Sequence, residues 1–164
     1  MPALVAIYAT KPIICKLIDF GESRSDVAQT ATLCNQRTLN VYRGSPVYMP
    51  PEIFNNSIGF SASLTDLKAV DVWALGMVFF MLLNPNLDYP YHVELQNKIP
   101  DKPWRAVVGE HFAKSKLPTF SNKYQTQRAT DWLIIDDVLH RCLCFSPEYR
   151  LPEQEVLHCW EEII

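Results

Sequence analysis

The hydrophobic pattern has one dominant feature. Residues 72–83 (VWALGMVFFMLL) form an uncharged apolar run of 12. A membrane-spanning helix needs about 20 such residues, whereas a run of this length marks a buried core helix. The run continues backward into a helical pattern over Leu64–Leu83, with Thr65 or Asp66 as N-cap and Asn84-Pro85 as the stop. Its large apolar residues include Val72, Trp73, Leu75, Met77, Val78, Phe79, Phe80, Leu82 and Leu83. A helix apolar nearly all round must be covered on every side.

Shorter patterns flank it. Residues 3–8 and 13–18 are short β-branched stretches separated by Thr10-Lys11-Pro12, which predicts two strands forming a hairpin. Residues 21–43 are polar and aperiodic, as a long loop would be. Beyond the central helix, the pattern predicts a short helix over 91–98 after Pro90. Another is expected over 102–116, with Trp104, Val107, Val108 and Phe112 on one stripe. An amphipathic helix over 130–144 places Leu133, Ile134, Val138 and Cys142 at helical spacings, with Phe145 just beyond. A last helix over 152–162 has Pro152 in its first turn. The expected fold is mainly α, with a short N-terminal β-hairpin.

Composition narrows the function. Of 164 residues, 48% are hydrophobic and 20% charged, enough apolar material for one domain with a sizeable core. The net charge of −3 offers no basic field for nucleic acid or an anionic membrane. The five cysteines (Cys15, Cys34, Cys142, Cys144, Cys159) are odd in number and follow no basic, apolar leader, so free thiols in a reducing cytoplasm are expected. Cys142 and Cys144 are too close for a usual zinc pair and read as buried thiols. The four histidines show no metal-site or catalytic-dyad spacing and are read as structural.

Four blocks carry the candidate chemistry. Asp19-Phe20-Gly21 follows an apolar strand and opens the polar loop. Gly44-Ser45-Pro46-Val47-Tyr48-Met49-Pro50-Pro51-Glu52 closes that loop. Asp71-Val72-Trp73-Ala74-Leu75-Gly76 lies on the central helix, and Cys142 to Arg150 (CLCFSPEYR) comes last. In this order the blocks resemble the C-terminal lobe of a eukaryotic protein kinase, of the Ser/Thr or tyrosine-kinase-like group. The resemblance covers residues 2–157, with 22–43 in the place of the activation loop. Ser45 stands where the family carries Thr, and Pro50 where it carries Ala.

The resemblance implies roles. Asp19 would chelate Mg²⁺ at the ATP phosphates, Phe20 would pack under the nucleotide and Gly21 would let the loop flip. Ser45 would hydrogen-bond near the catalytic base. Pro46, Tyr48 and Pro51 would shape the platform for a protein substrate. Glu52 would pair with Arg150, and Asp71 would accept backbone N–H groups from the catalytic loop. Trp73 is read as core. Thr30, Thr32 and Thr38 are candidate phosphoacceptors.

The 164 residues contain no Gly-rich loop, no V-A-I-K-type lysine, no αC glutamate and no H-R-D-x-x-x-x-N catalytic loop. Alignment back from Asp19 puts Pro2 in the catalytic-loop Asn slot, where it offers no metal ligand. The expectation is therefore a partial kinase domain over 1–164, its N-lobe and catalytic loop absent, inactive alone and binding neither ATP nor Mg²⁺ by itself. The alternative is a non-catalytic kinase-like module that binds a regulatory protein.

Overall fold

A central 20-residue helix sets the architecture, and everything else described packs around it. The computed structural model describes residues 45–57, 63–97, 103–127 and 133–161. In chain order these form a 3-10 turn (Pro46–Tyr48), α1 (Pro51–Phe54), α2 (Leu64–Leu83), α3 (His92–Gln96), α4 (Trp104–Ala113), α5 (Asn122–Gln127), α6 (Leu133–Cys142), a second 3-10 turn (Pro147–Tyr149) and α7 (Glu153–Glu161). The described residues are thus mainly helical. The expected hairpin over 3–18 and the loop over 22–43 lie outside them.

Helix α2 runs about 30 Å and begins and ends where its chemistry dictates. The N-cap is Ser63, not Thr65 or Asp66: the Ser63 hydroxyl accepts the Asp66 N–H at 3.2 Å, and the Asp66 carboxylate accepts the Ser63 N–H at 2.7 Å. Asp66 is the return half of a capping box. At the other end Asn84 is fully buried. Its amide donates to the Phe80 carbonyl at 2.7 Å and its oxygen accepts the Ser121 N–H at 2.8 Å. One side chain thereby closes α2 and ties it to the segment that leads into α5.

One flank of α2 (Trp73, Met77, Phe80) is fully buried, with Val72, Phe79 and Leu83 beside it. Helix α6 packs closely on this side, and Gly76 makes the approach possible. A Cβ there would lie 2.8 Å from both Cys142 Cβ and Leu143 Cδ2. Helix α4 supplies Val107, Val108 and Phe112 to the core, with Trp104 partly buried alongside, as the sequence stripe predicts.

Two expectations change, and one element is new. Leu133 is 62% exposed; α6 buries Val138, Leu139, Cys142 and Leu143 instead. Leu133 and Val138 are five residues apart, which is 140° round a helix, so they cannot share a face. Helix α3 is one turn long, because Tyr91 adopts a left-handed conformation (φ 64°) as its N-cap. Helix α5, with the polar sequence NKYQTQ, has no apolar period; it is pinned by Tyr124, whose hydroxyl donates to Asp136 on α6.

Candidate functional site

Glu52 and Arg150, 98 residues apart in sequence, meet in the interior. Glu52 sits in the first turn of α1, whose φ is preset by Pro51 at the first helical position. Arg150 follows the second 3-10 turn. The two are 7% and 6% exposed, so neither is a surface charge. Arg150 Nη1 donates to Glu52 Oε1 at 2.5 Å and Nη2 donates to Oε2 at 2.7 Å, a bidentate pair. The remaining donors are also used: Nε to the Cys144 carbonyl at 2.8 Å, Nη1 to Ala69 at 2.9 Å and Nη2 to Phe145 at 3.4 Å. A guanidinium has five N–H donors, and here each has an acceptor.

This one side chain therefore fastens α1, the N-terminal half of α2 and the loop after α6. Its guanidinium also lies 5.0 Å from the centre of the Trp73 ring, which is wholly buried and meets Phe112 and Phe145 edge-on. Trp73 is core, as expected, with its cationic neighbour held over one face. Phe54 of α1 extends the aromatic cluster to Phe112 at 5.0 Å and Trp104 at 6.2 Å. Arg105 covers Phe54 and donates to its carbonyl at 3.0 Å.

The segment ahead of Glu52 is built on prolines. Tyr48 N–H donates to the Ser45 carbonyl at 2.9 Å and Met49 N–H to Pro46 at 3.2 Å, forming the 3-10 turn. Ser45 is exposed and its side chain caps nothing. Pro46 and Pro51 are half-buried, and Tyr48 packs against the core. Pro50 and Met49 are buried, so the turn is anchored from below and open above Ser45.

Asp71 lies on α2 just before the buried Val72 and Trp73. It is solvent-accessible, and among the described residues it finds no hydrogen-bond or ionic partner. It stands at the mouth of a groove of about 430 Å³ between α2 and α7, whose walls include Val72, Leu75, Phe79, Val156 and Leu157. Desolvation by these walls raises the Asp71 carboxyl above its ordinary value of 3.8. Lys68 and Glu153 bridge one edge at 2.6 Å. The later helices cover only part of the apolar α2, and a strip is left open on this side: Leu75, Val78 and Leu82 are 38%, 45% and 69% exposed.

Asp19, Phe20, Gly21, Thr30, Thr32 and Thr38 lie outside the described residues. Among the described residues, no three His, Cys, Asp or Glu side chains converge to hold a metal ion. His111 instead faces Glu94 at 3.6 Å and His140 faces Asp136 at 3.3 Å. Cys142, Cys144 and Cys159 are free, but only Cys142 is fully buried, and its burial pushes the thiol up to about 12. No helix among the described residues is long and apolar enough to cross a membrane.

An internal arginine clamp thus joins a Pro-Pro-Glu turn to a distant C-terminal segment across a Trp-bearing helix. A family model described as the protein kinase domain matches residues 6–160. The chain belongs to the protein kinase domain family. It is 30% identical to serine/threonine-protein kinase SSK22 of Saccharomyces cerevisiae over 159 residues, 88% of this chain and 10% of that protein. It is 26% identical to the calcium/calmodulin-dependent protein kinase cmkB of Emericella nidulans, over 88% of this chain and 30% of that one. It is 30% identical to Tribbles homolog 2 of Canis lupus familiaris, over 75% of this chain and 29% of the relative. The chain thus spans less than a third of the length of each of these kinase-family relatives.

Two residues of the kinase-like framework escaped the sequence reading. Asn84 gave only a stop signal, because a capping amide that bonds 37 residues away leaves no local pattern. Gly76 belonged to a recognised block, but its partner helix is visible only in three dimensions.

Proposed function

We propose that this chain forms the substrate-platform and helical-scaffold part of an ATP-dependent protein serine/threonine kinase, and that the 164 residues transfer no phosphoryl group by themselves. The observation that carries the reading is the Arg150–Glu52 clamp. It fixes the base of the Ser45–Pro51 turn to the core, so that the exposed Ser45 edge has a rigid foundation for a protein substrate. The similarity to SSK22 and to the other serine/threonine kinases supports hydroxyl side chains as acceptors.

In this reading Asp19 would hold Mg²⁺ within the complete kinase domain, where ATP would supply the phosphoryl group and the metal its charge neutralisation. The chain's own contribution is positional. Ser45, Pro46, Tyr48 and Pro51 present the acceptor segment, while Glu52, Arg150 and Trp73 keep that surface from shifting. Thr30, Thr32 and Thr38 are the proposed sites of regulation by another kinase. Inactivity alone follows from the lysine, base and Asn that these residues do not contain.

The purified chain, incubated with labelled ATP, Mg²⁺ and a general Ser/Thr substrate, is expected to give no transfer above its Asp19→Ala variant. Residues 19–157, grafted in place of the matching segment of cmkB, are expected to support Ser/Thr phosphorylation that Asp19→Ala abolishes. A folded but dead chimera overturns the kinase reading, and transfer by the isolated chain overturns its inactivity. A second reading, a non-catalytic kinase-like module, is favoured by the exposed apolar face of α2.

A further inference from the structure

Helix α1 is a single turn, too short to hold its shape alone, and it carries the Ser45–Pro51 turn on its N-terminal side. The Glu52–Arg150 pair secures its start. Its other end leans on α4. The carbonyls of Pro50, Pro51, Glu52 and Ile53 accept the N–H groups of Phe54, Asn55, Ser57 and Asn56. Asn56 closes this turn in a left-handed conformation (φ 55°). The Phe54 carbonyl is served differently: among the described residues its donor is Arg105 Nη2 on α4, at 3.0 Å and 51 residues away in sequence.

Helix α4 is shaped to receive Phe54. Arg105, Gly109 and Phe112 are spaced 4 and 3 residues apart, so they lie on one face of the helix. Gly109 leaves a notch between its two larger neighbours, and Phe54 fills it: a Cβ on Gly109 would stand 3.4 Å from Phe54 Cε1. The Arg105 guanidinium lies 4.8 Å from the centre of the Phe54 ring, and Phe112 meets that ring edge-on at 5.0 Å. Neither Arg105 nor Gly109 suits α4 by itself. A glycine inside a helix weakens it, and a cation in the first turn opposes the helix dipole. Their contacts with Phe54 give both a use.

We propose that Arg105 is a positioning residue for the substrate platform, holding the Phe54 end of α1 to α4 as Arg150 holds the Glu52 end to the core. With only the Glu52 end fixed, α1 pivots about that end and carries the Ser45–Pro51 turn with it. Arg105 touches no reacting group and acts through Phe54. Its charge is part of the device, because a cationic donor serves the carbonyl and the ring face together. The inference rests on the reading above that the turn receives a protein substrate, so one arm of its test needs no phosphoryl transfer.

That arm is amide hydrogen exchange in the full 164-residue chain. Arg105→Met keeps most of the side chain's length and loses its charge and donors. It should speed exchange at Phe54, Asn55, Asn56 and Ser57 about 10-fold, while Val138 and Leu139 on α6 exchange as in the wild type. Arg105→Lys, which keeps a cationic donor, should recover most of the protection. Residue 105 is exposed, so both variants should keep the wild-type circular dichroism spectrum. Gly109→Leu, which fills the notch from the other side, should loosen the same four amides. Unchanged exchange at residues 54–57 in Arg105→Met overturns the proposal. So does an equal acceleration on α6, because the loss then belongs to the whole fold.

The second arm is kinetic and uses the cmkB chimera. There Arg105→Met should raise the KM for a Ser/Thr peptide about 5-fold and leave kcat and the KM for ATP within about 2-fold, the signature of lost substrate positioning. An unchanged peptide KM in an active chimera overturns the proposal. A chimera that is folded but dead before the substitution counts against the kinase reading alone, and hydrogen exchange then decides whether Arg105 holds the platform.

Discussion

Replacing Arg150 by alanine removes five N–H donors at once and leaves their acceptors behind. The Glu52 carboxylate, 7% exposed, loses both of its strong partners, and three carbonyls (Ala69, Cys144 and Phe145) lose a donor each. The stacked face of Trp73 is also uncovered. Breaking a buried pair by removing one partner costs about 3–5 kcal/mol, because the remaining charge stays desolvated. Domains of this size have about 5–15 kcal/mol in total, so Arg150→Ala should remove a large fraction of the stability.

Urea unfolding followed by tryptophan fluorescence measures the loss as a shift in midpoint at constant slope. Glu52→Gln, which keeps the shape and one acceptor, should cost less. In the double variant Glu52→Gln/Arg150→Ala the loss should fall short of the sum of the two single losses, since the stranded carboxylate is gone. An Arg150→Ala loss under about 1 kcal/mol, or strict additivity in the cycle, would refute the claim that this pair organises the core.

Other outcomes follow from single contacts. Gly76→Ala gains helix propensity of up to about 1 kcal/mol but drives a methyl into Cys142 and Leu143, so a net loss of about 1 kcal/mol is expected in the same unfolding assay. The Asp71 carboxyl is raised in the folded chain, so the fold binds the proton more tightly than the unfolded chain does, and stability falls as pH rises from below 3.8 through the higher folded value. Asp71→Asn should therefore be more stable than wild type at pH 7 and equal to it near pH 3, read from thermal midpoints. The isolated chain should bind a hydrophobic dye through Leu75, Val78 and Leu82, and a Val78→Glu/Leu82→Glu variant should lose most of that fluorescence without a lower melting temperature.

How much of this was legible beforehand differs by element. The span Leu64–Leu83 was readable because its apolar run is long and a capped start and an Asn-Pro stop bracket it. Helix α4 was readable in kind but is shorter at both ends, starting after Pro103 and ending at Ala113. The motif blocks told which residues matter without telling their distances: the Arg150–Glu52 pairing was an implication of resemblance until the geometry brought the two within 2.7 Å. Polar elements were opaque. Helix α5 has one buried aromatic, Tyr124, and owes its place to contacts with Phe120 and Asp136 rather than to its own pattern.

What the sequence determined by itself is local: which segments can be helical, where prolines force a turn, and that the central helix is too apolar to stand in water. Those follow from periodicity and backbone sterics, which act over a few residues. The tertiary structure decided which faces are used. It put Leu133 outside and Leu139 inside, buried Glu52 against Arg150 and left Asp71 without a partner among the described residues. Such outcomes depend on which surfaces meet across the fold. Sequence spacing alone does not encode them, because burial and pairing are properties of two surfaces rather than one.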